Sequence, residues 1–350
     1  MLFYVQILLK TRNPAVKIPP QPKRSGGWVA YPSCRGGFLQ FLRTVNMKKF
    51  AMAAVAAAAM TVGVAHAYTA GTFSNGVVVP NVIHNGLADT TAVGLVNQSG
   101  ATKAVFWTFF DQDSKHVTDG CFTMTDKDYQ PFVWANESGL GLEGKRGYLV
   151  FSVGGATCAD SAPGTGAIAA HAFQVTTASK DVGYTPVIDG TLTFASGADL
   201  KTLGAASLTT VGGAAPVGHI LNMRYYLQDG AKTNIVVWST GNQKGSHTVE
   251  IFDDKQNRKS VNFDLAKEEL DWFDPSTIAG RPANFVDGFI EWNTANAATK
   301  AGLAGSVFSY SVIDAPAFGA VQTVLGFHKA PPARWFVNFF CHRQLGLSVA

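Results

Sequence analysis

Asp111 and Asp113 open the stretch DQDSKHVTDG with the alternating carboxylates that begin a calcium-binding loop. Such a loop needs a glycine at its sixth position to take a sharp bend and a carboxylate at its twelfth to close on the ion. Here His116 stands sixth and Phe122 twelfth, with Lys115 fifth, so the spacing starts a cation site without finishing it. The stretch DDKQNRK, from Asp253 to Lys259, has the same polar character, and both read as hairpin turns. GLGLEG, from Gly139 to Gly144, has the glycine spacing of a dinucleotide loop, which requires a strand before it and a helix N-terminus after it to hold the pyrophosphate. The apolar run GYLVF follows instead, so this is read as a glycine-rich loop.

The other reactive side chains are scattered. His84, His116, His171, His219 and His247 form no HxH or HExxH pair. His219 and Met223, four apart, would share a copper-binding face on a helix, but APVGHILNMRYY reads as the entry to a strand. No GxSxG elbow occurs to present a hydrolase nucleophile. Glu268 with Glu269, and Asp253 with Asp254, are adjacent pairs, and neighbouring strand residues point to opposite faces. They cannot flank one bond as a glycosidase pair does, and they read as solvated surface. No catalytic, cofactor-binding or metal-binding residue is assigned. The sequons at Asn97 and Asn136 carry little weight in a chain of bacterial style.

Compartment is more legible than chemistry. Met47 is followed by Lys48 and Lys49, an uncharged run from Phe50 to Val64, and Ala65-His66-Ala67, the small-x-small pattern cut by signal peptidase. The run is too short to span a bilayer about 30 Å thick. Residues 47–67 are therefore expected to be a secretory signal cleaved after Ala67, with residues 1–46 an upstream extension outside the mature protein. Nine of the 28 Lys and Arg precede Tyr68, whereas all 24 Asp and Glu follow it, which turns a formal charge of +4 into −5. An acidic chain excludes the electrostatic footprint of a nucleic-acid binder. Of the four cysteines, Cys34 leaves with the leader. Cys121 and Cys158 could then pair as a disulfide in an oxidising compartment or stay as two buried thiols, with Cys341 odd.

The chain also repeats itself. DTTAVGLVNQSG (from Asp89) resembles KTNIVVWSTGNQ (from Lys232), and WTFFDQDSKHV (from Trp107) resembles VEIFDDKQNRK (from Val249). Thr91 falls on Thr233 and Asp111 on Asp253 at one offset, while GYLVFSV (from Gly147) matches GFIEWNT (from Gly288) almost in step. The period is a whole domain long, far beyond a solenoid repeat. Within each copy, short Val-, Thr- and aromatic-rich runs alternate with Gly, Asn, Asp and Ser clusters, the pattern of antiparallel strands. Strands are predicted at 92–96, 103–110, 116–125, 148–153 and 168–176, then at 235–239, 247–252, 260–265, 289–292 and 307–313. LAKEELDWF (265–273) is the one helical candidate.

The expected fold is all-β: two tandem immunoglobulin-like β-sandwiches at 68–189 and 219–329. Residues 190–218 form a partly ordered connector, with a strand such as Thr191 to Phe194. The tail 330–350, carrying Trp335, Phe336, Phe339 and Phe340, has no counterpart in the first copy and is either a docking segment or an extension foreign to the fold. Most strand aromatics, Phe252 and Phe289 among them, are assigned to the cores. Trp107 and Trp292 stay open between core and an exposed strip that would stack on sugars. The resulting expectation is a non-enzymatic structural or binding protein in the periplasm, on the surface or in the medium of a bacterium. Its partner would be another extracellular protein or a glycan, or itself through sheet edges, with no nucleic acid and no transmembrane segment in the mature chain. A secreted polysaccharide-acting enzyme with a loop-built site and a periplasmic metal-binding accessory protein are the alternatives.

Overall fold

A computed structural model describes residues 71–176, 181–295 and 305–330, and their regular secondary structure is almost entirely β-strand. The first half contains β1 (Gly76–Val82), β2 (Asp89–Asn97), β3 (Lys103–Asp111), β4 (His116–Met124), β5 (Tyr129–Val133), a single helical turn α1 (Trp134–Glu137), β6 (Gly147–Val153), β7 (Ile168–Thr176) and β8 (Asp181–Thr185). The connecting stretch adds β9 (Leu192–Phe194), β10 (Leu208–Val211) and β11 (Ala215–Pro216). The second half contains β12 (Ile220–Tyr226), β13 (Lys232–Ser239), β14 (Gly245–Asp253), β15 (Arg258–Leu265), β16 (Leu270–Phe273), β17 (Asp287–Asn293), β18 (Ser306–Ala315), β19 (Ala320–Leu325) and β20 (Phe327–Lys329).

Period-two alternation sends one face of each strand inward, so the strands close into facing antiparallel sheets. Sheet I has the order β5-β2-β7-β8 and sheet II the order β1-β6-β3-β4. Sheet III is β11-β18-β13-β16 with β19 on the far side of β18, and sheet IV is β15-β14-β17-β12-β20. Apart from the short additions β11 and β20, the second half has the strand order of the first.

Local devices recur with that order. Thr91 Oγ1 accepts from the Ile83 amide at 3.1 Å and returns its proton to the same residue's carbonyl at 3.0 Å; Thr233 does the same to Tyr226, at 2.9 and 2.7 Å. In the β3–β4 turn, Asp111 Oδ1 accepts from the amides of Asp113 and Lys115. In the β14–β15 turn, Asp253 Oδ1 accepts from those of Lys255 and Asn257. Each turn passes through one left-handed residue, Ser114 at φ 54° and Gln256 at φ 68°. Gly147 and Gly288 open equivalent strands, and a Cβ on either would strike the carbonyl of Phe110 or Phe252 across the ladder.

Three apolar layers separate the four sheets. Val93, Leu95, Trp107 and Phe151 fill the space between sheets I and II, and Met223, Ile251, Phe263 and Trp292 that between III and IV. Both tryptophans left open by the sequence are thus core. The middle layer joins the halves: Val78, Phe106 and Tyr148 on the outer face of sheet II meet Val236, Trp238 and Tyr310 on the outer face of sheet III. The connector is built into this layer. β9 and β10 pair with each other, and Leu200, Leu203 and Val211 are buried in it. With the apolar faces of both sheets removed from water together, the halves share one continuous interior.

Three expectations are corrected. Residues 270–273 of LAKEELDWF are strand β16, because pairing with β13 places Leu270 and Trp272 against the middle layer, a tertiary gain that outweighs local helix propensity. Phe252 and Phe289 are not core; they stack at 4.7 Å on the half-exposed outer face of sheet IV. Their counterparts Phe110 and Tyr148, stacked at 5.1 Å, are buried because the second half lies on them. Finally, Glu269 and Asp253 are buried rather than solvated, Glu269 at the junction of the halves and Asp253 inside its own turn.

Candidate functional site

The turn that began like a calcium loop is a docking element. Gln112, at its start, offers its carbonyl to the amides of Glu269 (3.2 Å) and Leu270 (3.1 Å) in the second half. Asp113 accepts from the Glu268 amide at 3.2 Å and lies 3.6 Å from Lys267 Nζ. Beneath it, the Glu269 carboxylate accepts from Ser114 Oγ and from the Tyr148 hydroxyl, the latter at 3.0 Å. Glu269 is 7% exposed. Burial raises its pKa, against the lowering effect of its two hydroxyl donors. Tyr148 is pushed well above its ordinary value by burial and then by the neighbouring Glu269. Two hydroxyls of the first half aimed at one buried carboxyl of the second make a clamp between the halves.

Around this clamp the junction opens in two places. One cavity of about 520 Å³ lies at the turn, with Asp111 and Asp113 facing Lys145, Arg146 and Lys267. Arg146 crosses the junction: its guanidinium sits 3.9 Å from the centroid of the Trp272 ring and Nη1 donates to Asn81 at 2.6 Å. A second cleft of about 300 Å³ takes Asn81, Gln174 and Asp181 from the first half and Asn234, Tyr310 and Asp314 from the second. At its rim Thr323 Oγ1 donates to the Tyr184 carbonyl at 2.6 Å, tying β19 to β8. Amides, carboxylates and phenols converging from two halves that share a core form a preset array of hydrogen-bonding groups, the composition of a site for a polar ligand.

Of the residues singled out in the sequence, Cys121 and Cys158 come together at disulfide distance, with 5.9 Å between their Cα atoms. Ala65 and Ala67, with the whole leader, and Cys341 in the tail lie outside the described residues. The five histidines stay apart. His84 is buried against Ser138 and Trp134, His116 bonds the connector carbonyl of Leu203, and His247 bonds the Gln243 carbonyl. His219 and Met223 flank and enter strand β12, where a four-residue separation spans roughly 13 Å and cannot chelate one ion. Among the described residues no three His, Cys, Asp or Glu gather around a common point. The glycines of GLGLEG lead into β6, as a loop. The Asn97 side chain is buried and donates to the carbonyls of Ala101, Met124 and Thr125, which makes its sequon a strand-end lock.

The cleft residues went unread because each sits alone in sequence, and only the contact of β8 with β19 assembles them. Tyr129, Phe173 and Tyr184 were also missed, and all three are exposed on the first half. Among the described residues, no helix is long and apolar enough to cross a membrane. The chain matches no known family model, no curated protein and no solved structure.

Proposed function

We propose that this is an exported, non-enzymatic binding protein of the bacterial cell surface, periplasm or medium, built by internal duplication of an immunoglobulin-like sandwich. Cleavage after Ala67 releases it, and the Cys121–Cys158 pair is oxidised in the compartment it enters. It works by presenting preset surfaces to an extracellular protein or glycan. The observation that carries this reading is the buried middle layer. Two halves of one strand order are fused through it, so that the cleft between Asn81, Asp181, Asn234 and Asp314 is lined by both and held without a hinge.

Intact mass tests it, measured on the protein from fractionated native cells and medium with and without reduction and thiol alkylation. The expected species begins at Tyr68, is found outside the cytoplasm, and takes up label at Cys121 and Cys158 only after reduction. A cytoplasmic species beginning at Met1 with both thiols free would sink the proposal.

A further inference from the structure

The outer face of sheet I carries exposed aromatic rings around two small residues of β2. β2 turns Ala92 and Gly94 outward, with Tyr129 and Pro131 of β5 on one side and His171 and Phe173 of β7 on the other. They enclose a shallow groove of about 220 Å³. Tyr129 is 61% exposed and Phe173 41%. A Cβ at Gly94 would collide with the hydroxyl end of the Tyr129 ring, so that end of the ring lies over the glycine. Phe173 is braced edge-on by Tyr184, with ring centroids 6.1 Å apart. Among the described residues, the groove is lined by no Lys, Arg, Asp or Glu.

We propose that this groove binds a neutral polysaccharide, one sugar ring resting against the exposed part of Tyr129 and reaching towards Phe173. The inference rests on the reading of an exported binding protein and names its ligand class. A pyranose has apolar C–H faces and a rim of hydroxyls. The C–H faces suit the electron-rich faces of fixed aromatic rings, and the rim suits a hydrogen-bonding imidazole such as His171. Both rings are held before the ligand arrives, so little side-chain entropy is lost on binding. Nucleic acid and anionic lipid need cations that the described lining does not supply.

The test is affinity electrophoresis of the exported protein in gels cast with neutral polysaccharides (β-glucan, α-glucan, xylan, mannan) or with acidic alginate. Wild-type protein is expected to be retarded by at least one neutral polymer and not by alginate. Y129A and F173A should each weaken that retention about tenfold or more. F252A, which removes a half-exposed ring from sheet IV on the opposite side, should leave it unchanged. Thermal melts confirm that the variants fold. Absence of retardation on every neutral polymer overturns the proposal, as does equal weakening by F252A. So does a dimer in solution that Y129A converts to monomer, or retention that appears only once residues after Ala330 are removed. Because the same sample is checked for its N-terminus and oxidised cysteines, failure of the sugar assignment is separable from failure of the export reading.

Discussion

Trp238 tests whether the two halves share one interior. It is fully buried in the middle layer, flanked on neighbouring strands by Phe308 and Leu270 and met edge-on by Tyr148 of the first half at 5.7 Å. A tryptophan buries about 200 Å², worth about 5 kcal/mol at 25 cal/mol per Å², and measured Trp→Ala losses in cores run at about 3–5 kcal/mol. For W238A we expect about 4 kcal/mol, or a fall in Tm on the order of 10 °C for a chain of this length. Calorimetry should show one transition before and after the substitution, moved as a whole. Hydrogen exchange should show β3 and β6, in the other half, losing protection together with β13. Two transitions of which W238A shifts only one, with β3 and β6 unaffected, would refute the argument that the layer couples the halves.

Glu269 and the cysteines give two further expectations. Because burial raises the Glu269 pKa above 4.5, the folded protein holds this proton more tightly than the unfolded chain; the contribution is complete below about pH 4.5 and declines as pH rises through the raised value. Buried Asp189 and Asp271 are raised too and act in the same direction, so the variant must be compared with wild type at each pH. E269Q keeps an acceptor for Tyr148 and should gain stability relative to wild type between pH 5 and 8. E269A strands two hydroxyls and should lose about 1–3 kcal/mol throughout; urea midpoints decide, and an E269Q offset that does not change with pH would contradict the assignment. Replacing Cys121 and Cys158 by serine opens a loop with a separation of 37 residues, expected to cost about 4 kcal/mol by chain entropy. An unchanged urea midpoint in the double variant would show that the pair contributes nothing.

What was legible in the sequence depended on how local the signal was. β3, with its run from Val105 to Phe110, and β7, ending in Gln174-Val175-Thr176, announce themselves by composition and alternation. β1 was passed over because Pro80 and Asn81 interrupt its valines, yet edge position in sheet II lets a proline sit there without losing a ladder bond. β16 was hidden behind the helix formers of AKEEL. The proximity of Cys121 and Cys158 was one of two readings that the cysteine count allowed, the other being two buried thiols. The buried Glu269 was not, since its partner Tyr148 is 121 residues away. The exposed rings were readable in part: Ala170 and Ala172 alternate with His171 and Phe173, and the small members go inward because Phe132 and Trp134 already fill that space. Expecting large residues inside and small ones outside assigns that strand the wrong way round.

The junction of the halves joins unlike surfaces, the outside of sheet II to the outside of sheet III, whose structural counterparts are sheets IV and I. A contact of this head-to-tail kind has no built-in end; repeated, it would grow a column. Growth is stopped by chemistry at one position after another. Where Val78 pairs with Val150 on the covered face of sheet II, Asn222 pairs with Glu291 on sheet IV, and Glu250 stands beside Glu291 on the next strand. A third unit laid there would have to strip water from two neighbouring carboxylates. The difference between the two halves at these positions is therefore what gives the stack a last storey, and placing valines at 222 and 291 would remove part of the roof.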